Sequence, residues 1–129
     1  MVDVALITGA SRGLGAELAR FLAQQGVSLV ITARGKKALV QMANSLTATG
    51  ADIRAIAGDV ANLAHRRALV DAAGDLGGLD LLVNNASELG PSPLPNLVDY
   101  PLEALVRVLD VNLVAPWDWF RPRCLFSAA

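Results

Sequence analysis

Short runs of β-branched and aliphatic residues alternate with longer stretches of helical period along this chain. That alternation restricts it to an α/β fold on parallel strands. The first run, Val4-Ala5-Leu6-Ile7-Thr8, is apolar almost throughout, as expected of a strand covered on both faces. Leu14, Leu18, Phe21 and Leu22 then recur at helical spacing and are predicted to face inward, with Gly26 as the C-terminal cap. Leu29 to Thr32 reads as a second strand, followed by a helix with Leu39, Met42, Ala43 and Leu46 on one face and ended by Gly50. Ile53 to Ala57 is the third strand. Asn62 suits the N-cap of a helix that turns Leu69, Ala72, Ala73 and Leu76 inward, and Gly77-Gly78 closes it. Leu81-Leu82-Val83 is the fourth strand.

A loop with Pro91, Pro93 and Pro95 follows, too short for a domain linker. Pro101 stands where a helix can begin without needing its missing N–H, and Leu102, Leu105, Leu109 and Leu113 follow at spacings of three and four. Stripes of this kind predict core rather than a membrane surface. The last thirteen positions read differently: Trp117, Trp119, Phe120 and Phe126, four of the chain's six aromatic residues, fall there with its single cysteine, Cys124. Pro116 and Pro122 are expected to interrupt any helix. The expected organisation is therefore a domain over residues 1–116 and a divergent, aromatic-rich tail over 117–129. The tail suits either a hydrophobic docking segment or non-native sequence after a shifted reading frame or altered splice, and the loss of periodicity favours the second.

At 129 residues the chain has room for one domain. A chain of this size removes roughly two-thirds of its unfolded surface from water, and 53% apolar against 18% charged residues supply a core. The net charge of −1 carries no basic face, so nucleic acid is not an expected partner. One cysteine forms no internal disulfide, and Val4 to Ile7 is too brief for a signal or a membrane span. A soluble, cytoplasmic protein is the expectation. His65, the sole histidine, lies between Ala64 and Arg66 and is expected to be solvated; no clustered ligands suggest a metal.

The chemistry concentrates in Thr8-Gly9-Ala10-Ser11-Arg12-Gly13-Leu14-Gly15, which joins the first strand to the first helix. Gly9 permits the tight turn, Gly13 lets the backbone approach a pyrophosphate, and Gly15 lets helix and strand pack closely. The helix that opens here offers N–H groups and a partial positive charge to phosphates. With a strand before and a helix after, this is a dinucleotide-binding turn. The fold class is then a Rossmann-like, three-layer αβα partial doubly wound sheet of about four strands, in the order 3-2-1-4.

TGASRGLG resembles the TGxxxGxG signature of the short-chain dehydrogenase/reductase family, and three further motifs agree in order and place. Asp59-Val60 follows the third strand, Asn84-Asn85-Ala86 ends the fourth, and Asn112 lies within Val111-Asn112-Leu113. The resemblance covers residues 1 to about 116. It implies a cofactor site of Thr8, Gly9, Ser11, Arg12, Gly13, Leu14, Gly15, Arg34, Asp59, Val60, Asn85 and Ala86. Asp59 would bond the adenine amino group while Val60 packs on the ring, and the Asn84–Ala86 segment would steady the central strand and line the adenosine-ribose and nicotinamide side. Ser87 replaces the family's final glycine there. Asn112 matches the active-site asparagine, implied to hold a helix bend and a water that links the catalytic lysine to a proton relay.

An acidic residue about twenty positions past the glycines binds the adenosine ribose and disfavours a 2′-phosphate. Here Ala33 takes that place, Arg34 follows nineteen residues after Gly15, and Arg12 lies inside the turn. Two guanidinium groups converging on the ribose suit a 2′-phosphate, so NADP(H) is favoured over NAD(H).

The family's chemistry is hydride transfer between a nicotinamide and a carbonyl or alcohol, with protons handled by the tyrosine of a YxxxK motif and an upstream serine. Seventeen residues follow Asn112, and they contain no YxxxK. The only tyrosine, Tyr100, precedes Pro101-Leu102-Glu103-Ala104, and the only lysines are Lys36 and Lys37. The reading is thus the NADP(H)-binding portion of an oxidoreductase, inactive as this isolated chain. The alternative is a non-catalytic dinucleotide-binding or interaction module. With three of the family's usual strands missing, the fourth strand would be an exposed sheet edge, and self-association through it or the tail is expected.

Overall fold

The first strand, β1 (Val4–Thr8), is buried along its whole length, and the rest of the sheet is built outward from it. In the computed structural model, which describes residues 1–121, it pairs in parallel with β2 (Ser28–Thr32) on one side and β4 (Leu81–Val83) on the other. The third strand, β3 (Ile53–Ala55), pairs with β2 to give the order β3-β2-β1-β4, as the sequence predicts. Strands β1 and β2 lie inside the sheet and carry unbroken apolar runs, whereas β3 and β4 form its edges and are only partly covered. The third strand is shorter than predicted, yet its backbone stays tied to β2: the Ile56 N–H donates to Ile31 O at 3.0 Å.

The described chain divides into two compact units, the first covering Met1–Ala86 and the second running from Ser87 onward. In the first, α1 (Gly13–Gln24), α2 (Lys36–Leu46) and α3 (Leu63–Asp75) are the crossover helices. Leu39, Met42 and Leu46 of α2, and Leu69 and Ala73 of α3, are buried as the spacing predicts. The Asn62 side chain caps α3 by accepting from the His65 N–H at 3.1 Å.

The α1 stripe departs from expectation. Gly15, Ala16, Ala19 and Ala23 are its buried residues, Leu18 and Leu22 pack at the margin, and Leu14 and Phe21 are exposed. The reason is distance. A Cβ at Gly15 would stand 2.3 Å from Gly9 O, so the helix sits too close to the strand exit for large side chains, and its small residues form the contact face. Asp80 ties the start of β4 to the start of β1, its carboxylate accepting from the N–H groups of Asp3 and Val4 at 2.9 and 3.0 Å.

The second unit contains α4 (Leu102–Leu109), a π-helical turn at Asp110–Val114, and α5 (Ala115–Asp118). Pro101 is the N-cap of α4, one position ahead of the helix proper. The stripe Leu102, Leu105, Leu109 and Leu113 was predicted as core, but all four are exposed: within the second unit it is Val111, Ala115 and Trp119 that are buried. Nor does Pro116 interrupt the helix, as the sequence had suggested. It lies in the first turn of α5, where its missing N–H is tolerated, directly after the π turn has already shifted the hydrogen-bond ladder. Pro122, Cys124 and Phe126 lie outside the described residues. No described helix is long and apolar enough to cross a membrane.

Candidate functional site

All four strands of a parallel sheet point their C-terminal ends the same way, and the sequence-predicted site residues of the first unit sit on the segments leaving those ends. A lateral series of hydrogen bonds ties the exits together. Thr8 Oγ1 accepts from the N–H groups of Asn85 and Ala86, each at 3.0 Å, and donates to Val83 O at 3.3 Å, joining the β1 and β4 exits. The Ala10 N–H donates to Thr32 O at 3.0 Å, joining β1 to β2. The Gly58 N–H donates to Ala33 O at 3.1 Å, joining β2 to β3.

The glycine turn has the geometry its spacing implies. Gly9 and Gly13 have φ of 64° and 57°, in the left-handed region. Gly13 faces open space, with no atom within 4 Å of where a Cβ would stand. Gly15 is the opposite case, its missing Cβ filled by Gly9 O and by Asn85 Nδ2 at 2.6 Å. Arg12 is the N-cap of α1 but makes no side-chain capping bond, and the first turn of the helix holds no acid. The helix therefore opens toward Gly13 with its N–H groups uncapped by Arg12 and its dipole unopposed, which fits an anionic group. Ser11 is half-buried, and Arg12 and Leu14 are exposed beside it.

Three of the predicted residues in the first unit, Thr8, Asn85 and Asp59, bond to the protein itself. Thr8 is buried and its hydroxyl is engaged three times over. Asn85 donates through Nδ2 to Gly9 O at 3.0 Å, so its amide holds the glycine turn. At the β3 exit, Asp59 Oδ1 accepts from the Ala61 N–H at 2.9 Å and its carbonyl accepts from the Asn62 N–H, fixing the turn into α3. Val60 is buried and Arg34 is exposed. Ser87 takes an ordinary negative φ, so the loss of the family's glycine there strains nothing.

In the second unit, Asn112 lies on the π turn and makes two bonds to one residue. Its Oδ1 accepts from the Glu88 N–H and its Nδ2 donates to Glu88 O, both at 2.8 Å. The Glu88 carboxylate pairs with Arg107 Nε at 2.8 Å. Tyr100 packs its hydroxyl against Gly90, in the space a Cβ would take. Among the described residues, no three His, Cys, Asp or Glu side chains cluster as metal ligands.

Sequence reasoning missed two residues of α3. His65 was expected to be solvated, but it is half-buried, its ring lies against Gly58, and Nε2 is 2.8 Å from Thr32 Oγ1. Burial lowers its pKa from the ordinary 6.5, opposed by the nearby Asp59 carboxylate. Arg66 is buried and donates from Nη1 to Val60 O at 2.7 Å. The only signal in the sequence is Gly58 ahead of Asp59, a missing side chain where the ring lies.

The family model for short chain dehydrogenases matches residues 3–121. The chain belongs to the short-chain dehydrogenase family. A curated relative, the 1-deoxy-11-beta-hydroxypentalenate dehydrogenase of Streptomyces avermitilis, is 38% identical over 111 residues, 85% of this chain and 41% of that protein. The L-sorbose reductase of Gluconobacter frateurii, solved with NADPH and L-sorbose, superposes with a TM-score of 0.85 at 30% identity, over 98% of this chain and 47% of that one. An NAD+-bound xylitol dehydrogenase superposes with a TM-score of 0.80 at 29% identity, over 89% of this chain and 44% of that one. The chain thus spans less than half the length of each of these three proteins.

Proposed function

We propose that this chain is the cofactor half of a short-chain oxidoreductase and binds NADP(H) in preference to NAD(H). The observation that carries the reading is the uncapped start of α1 behind a glycine turn whose Gly13 is open and whose Gly15 is filled. These residues fit a pyrophosphate: the turn presents N–H groups without a side chain in the way, and the helix dipole favours negative charge. Thr8, Ala10 and Asn85 would hold the turn in shape, with Gly9, Ser11, Arg12 and Leu14 around the phosphates. Asp59 and Val60 would receive the adenine, and Ala86 would border the ribose. The preference for a 2′-phosphate rests on Ala33 in place of an acid and on two guanidinium groups, Arg12 and Arg34.

When bound, a nicotinamide supplies or accepts the hydride in this family's chemistry. What the chain itself supplies is binding and orientation. Residues 1–129 contain no YxxxK, so the chain alone is expected to bind cofactor without turning over a carbonyl substrate. Residues 1–116 are assigned to the cofactor domain and 117–129 to the divergent tail. A second reading, a non-catalytic module that self-associates, is favoured by the exposed apolar face of α4 and by β4 at the sheet edge.

The test is a titration with NADPH and NADH followed by ligand fluorescence and thermal stability. Tighter binding of NADPH, weakened by Arg34→Ala, supports the reading; absence of binding by either cofactor overturns it. A carbonyl-reductase assay on the same sample decides whether the chain acts alone.

A further inference from the structure

His65 holds together the two strand exits that carry the adenosine-side residues. Its ring occupies the position of the absent Gly58 side chain: a Cβ there would stand 2.3 Å from Nδ1 and 2.4 Å from Cε1. On the β2 side, Nε2 is 2.8 Å from Oγ1 of Thr32, a fully buried residue one position before Ala33 and two before Arg34. On the β3 side, Gly58 directly precedes Asp59. The backbone that carries the ring is held in place, because the His65 N–H is bonded to the Asn62 cap and the next residue, Arg66, is anchored on Val60 O.

We infer that His65 is a positioning residue for the adenosine half of the dinucleotide site, setting the spacing between Arg34 at one exit and Asp59 at the other. This rests on the dinucleotide-binding reading. A histidine suits the task because a flat ring fills the gap over a glycine while a ring nitrogen reaches the hydroxyl beyond it. Burial lowers its pKa, which favours the neutral ring, whose Nε2 donates to or accepts from the Thr32 hydroxyl according to its tautomer.

The experiment measures dissociation constants of the whole chain for NADPH and for 2′,5′-ADP, which carries the adenosine end alone. His65→Ala, His65→Gln, Thr32→Val and the double variant His65→Ala/Thr32→Val are compared at a temperature where each is folded. Loss of one hydrogen bond's ordering is expected to weaken both ligands about three- to tenfold in His65→Ala. His65→Gln, whose amide nitrogen reaches the Nε2 position, recovers most of the affinity. Thr32→Val loses as much as His65→Ala, and the double variant loses no more than either. The effect on 2′,5′-ADP equals that on NADPH, because only the adenosine end is displaced. If the wild-type chain binds NADPH but the variants bind it equally well, and only their melting temperatures differ, His65 supports the fold and not the site, and the inference is overturned. If the wild type binds neither ligand, the dinucleotide reading falls and takes the inference with it. Should His65→Ala not fold, Thr32→Val and His65→Gln carry the same comparison.

Discussion

The side chain of Asn112 pairs with the backbone of Glu88 from both sides, accepting from its N–H and donating to its carbonyl, each at 2.8 Å. An amide side chain facing one residue's N–H and C=O in this way acts as a short length of strand pairing. It fixes the segment after the fourth strand to the π turn within the second unit, and Arg107 adds an ion pair to the Glu88 carboxylate. Asn112 itself lies in the π-helical turn at Asp110–Val114.

Asn112→Ala removes both bonds at once. Because the pair is exposed, water replaces part of what is lost, and the expected destabilisation is about 1 kcal/mol. Hydrogen exchange reads it directly: the Glu88 amide exchanges faster in the variant. Unchanged Glu88 exchange would mean that the pairing does not persist in solution.

Gly15→Ala and Gly13→Ala separate packing from backbone strain. At Gly15 the new Cβ meets a backbone oxygen at 2.3 Å, so helix and strand must part, at a cost of about 2–3 kcal/mol. At Gly13 the space is open and only the left-handed φ of 57° is penalised, by about 1 kcal/mol. Thermal denaturation is expected to rank Gly15→Ala as the less stable, while both variants bind NADPH more weakly than wild type. The reverse order of stability would contradict the close approach of α1 to the strand exit.

Ala33→Asp places a carboxylate where a 2′-phosphate is expected. Repulsion weakens NADPH by about tenfold or more while the ribose hydroxyls of NADH gain an acceptor, so the preference reverses. Titration of the variant with both cofactors checks this. An undiminished NADPH preference would show that Arg12 and Arg34 do not face the ribose.

Stability is expected to fall at two places as the solution is acidified. The Asp80 carboxylate accepts from the N–H groups of Asp3 and Val4, which hold its pKa below the ordinary 3.8. A carboxylate with a depressed pKa stabilises the fold fully above that ordinary value and loses the contribution as pH drops through the folded one. His65 is depressed below 6.5 by burial, against the attraction of Asp59. The unfolded chain therefore binds its proton first, and stability begins to decline as pH passes below 6.5, levelling once the folded ring is protonated. Melting curves across this range should lose the upper step in His65→Gln and the lower one in Asp80→Asn. Retention of either step in its variant would assign it to other groups.

The sequence by itself determined the sheet. Short apolar runs at Val4–Thr8 and Leu29–Thr32, alternating with helical stretches, read as strands covered on both faces, and Gly9, Gly13 and Gly15 between a strand and a helix read as a phosphate-binding turn. Those are local constraints, readable from residue type and period. Only the tertiary structure decided which faces met. Leu14 and Phe21 match the helical period as well as Ala16 and Ala19 do, but the distance from α1 to the strand exit excludes large side chains. The stripe Leu102 to Leu113 has a core period, yet Leu102, Leu105, Leu109 and Leu113 are exposed. His65 looked solvated because its partners, Thr32 and Gly58, are 33 and 7 positions away, and a hydrogen bond between elements leaves no period in a sequence. Periodicity records which side of an element is apolar; the distance between elements, and what fills it, exists only once they pack.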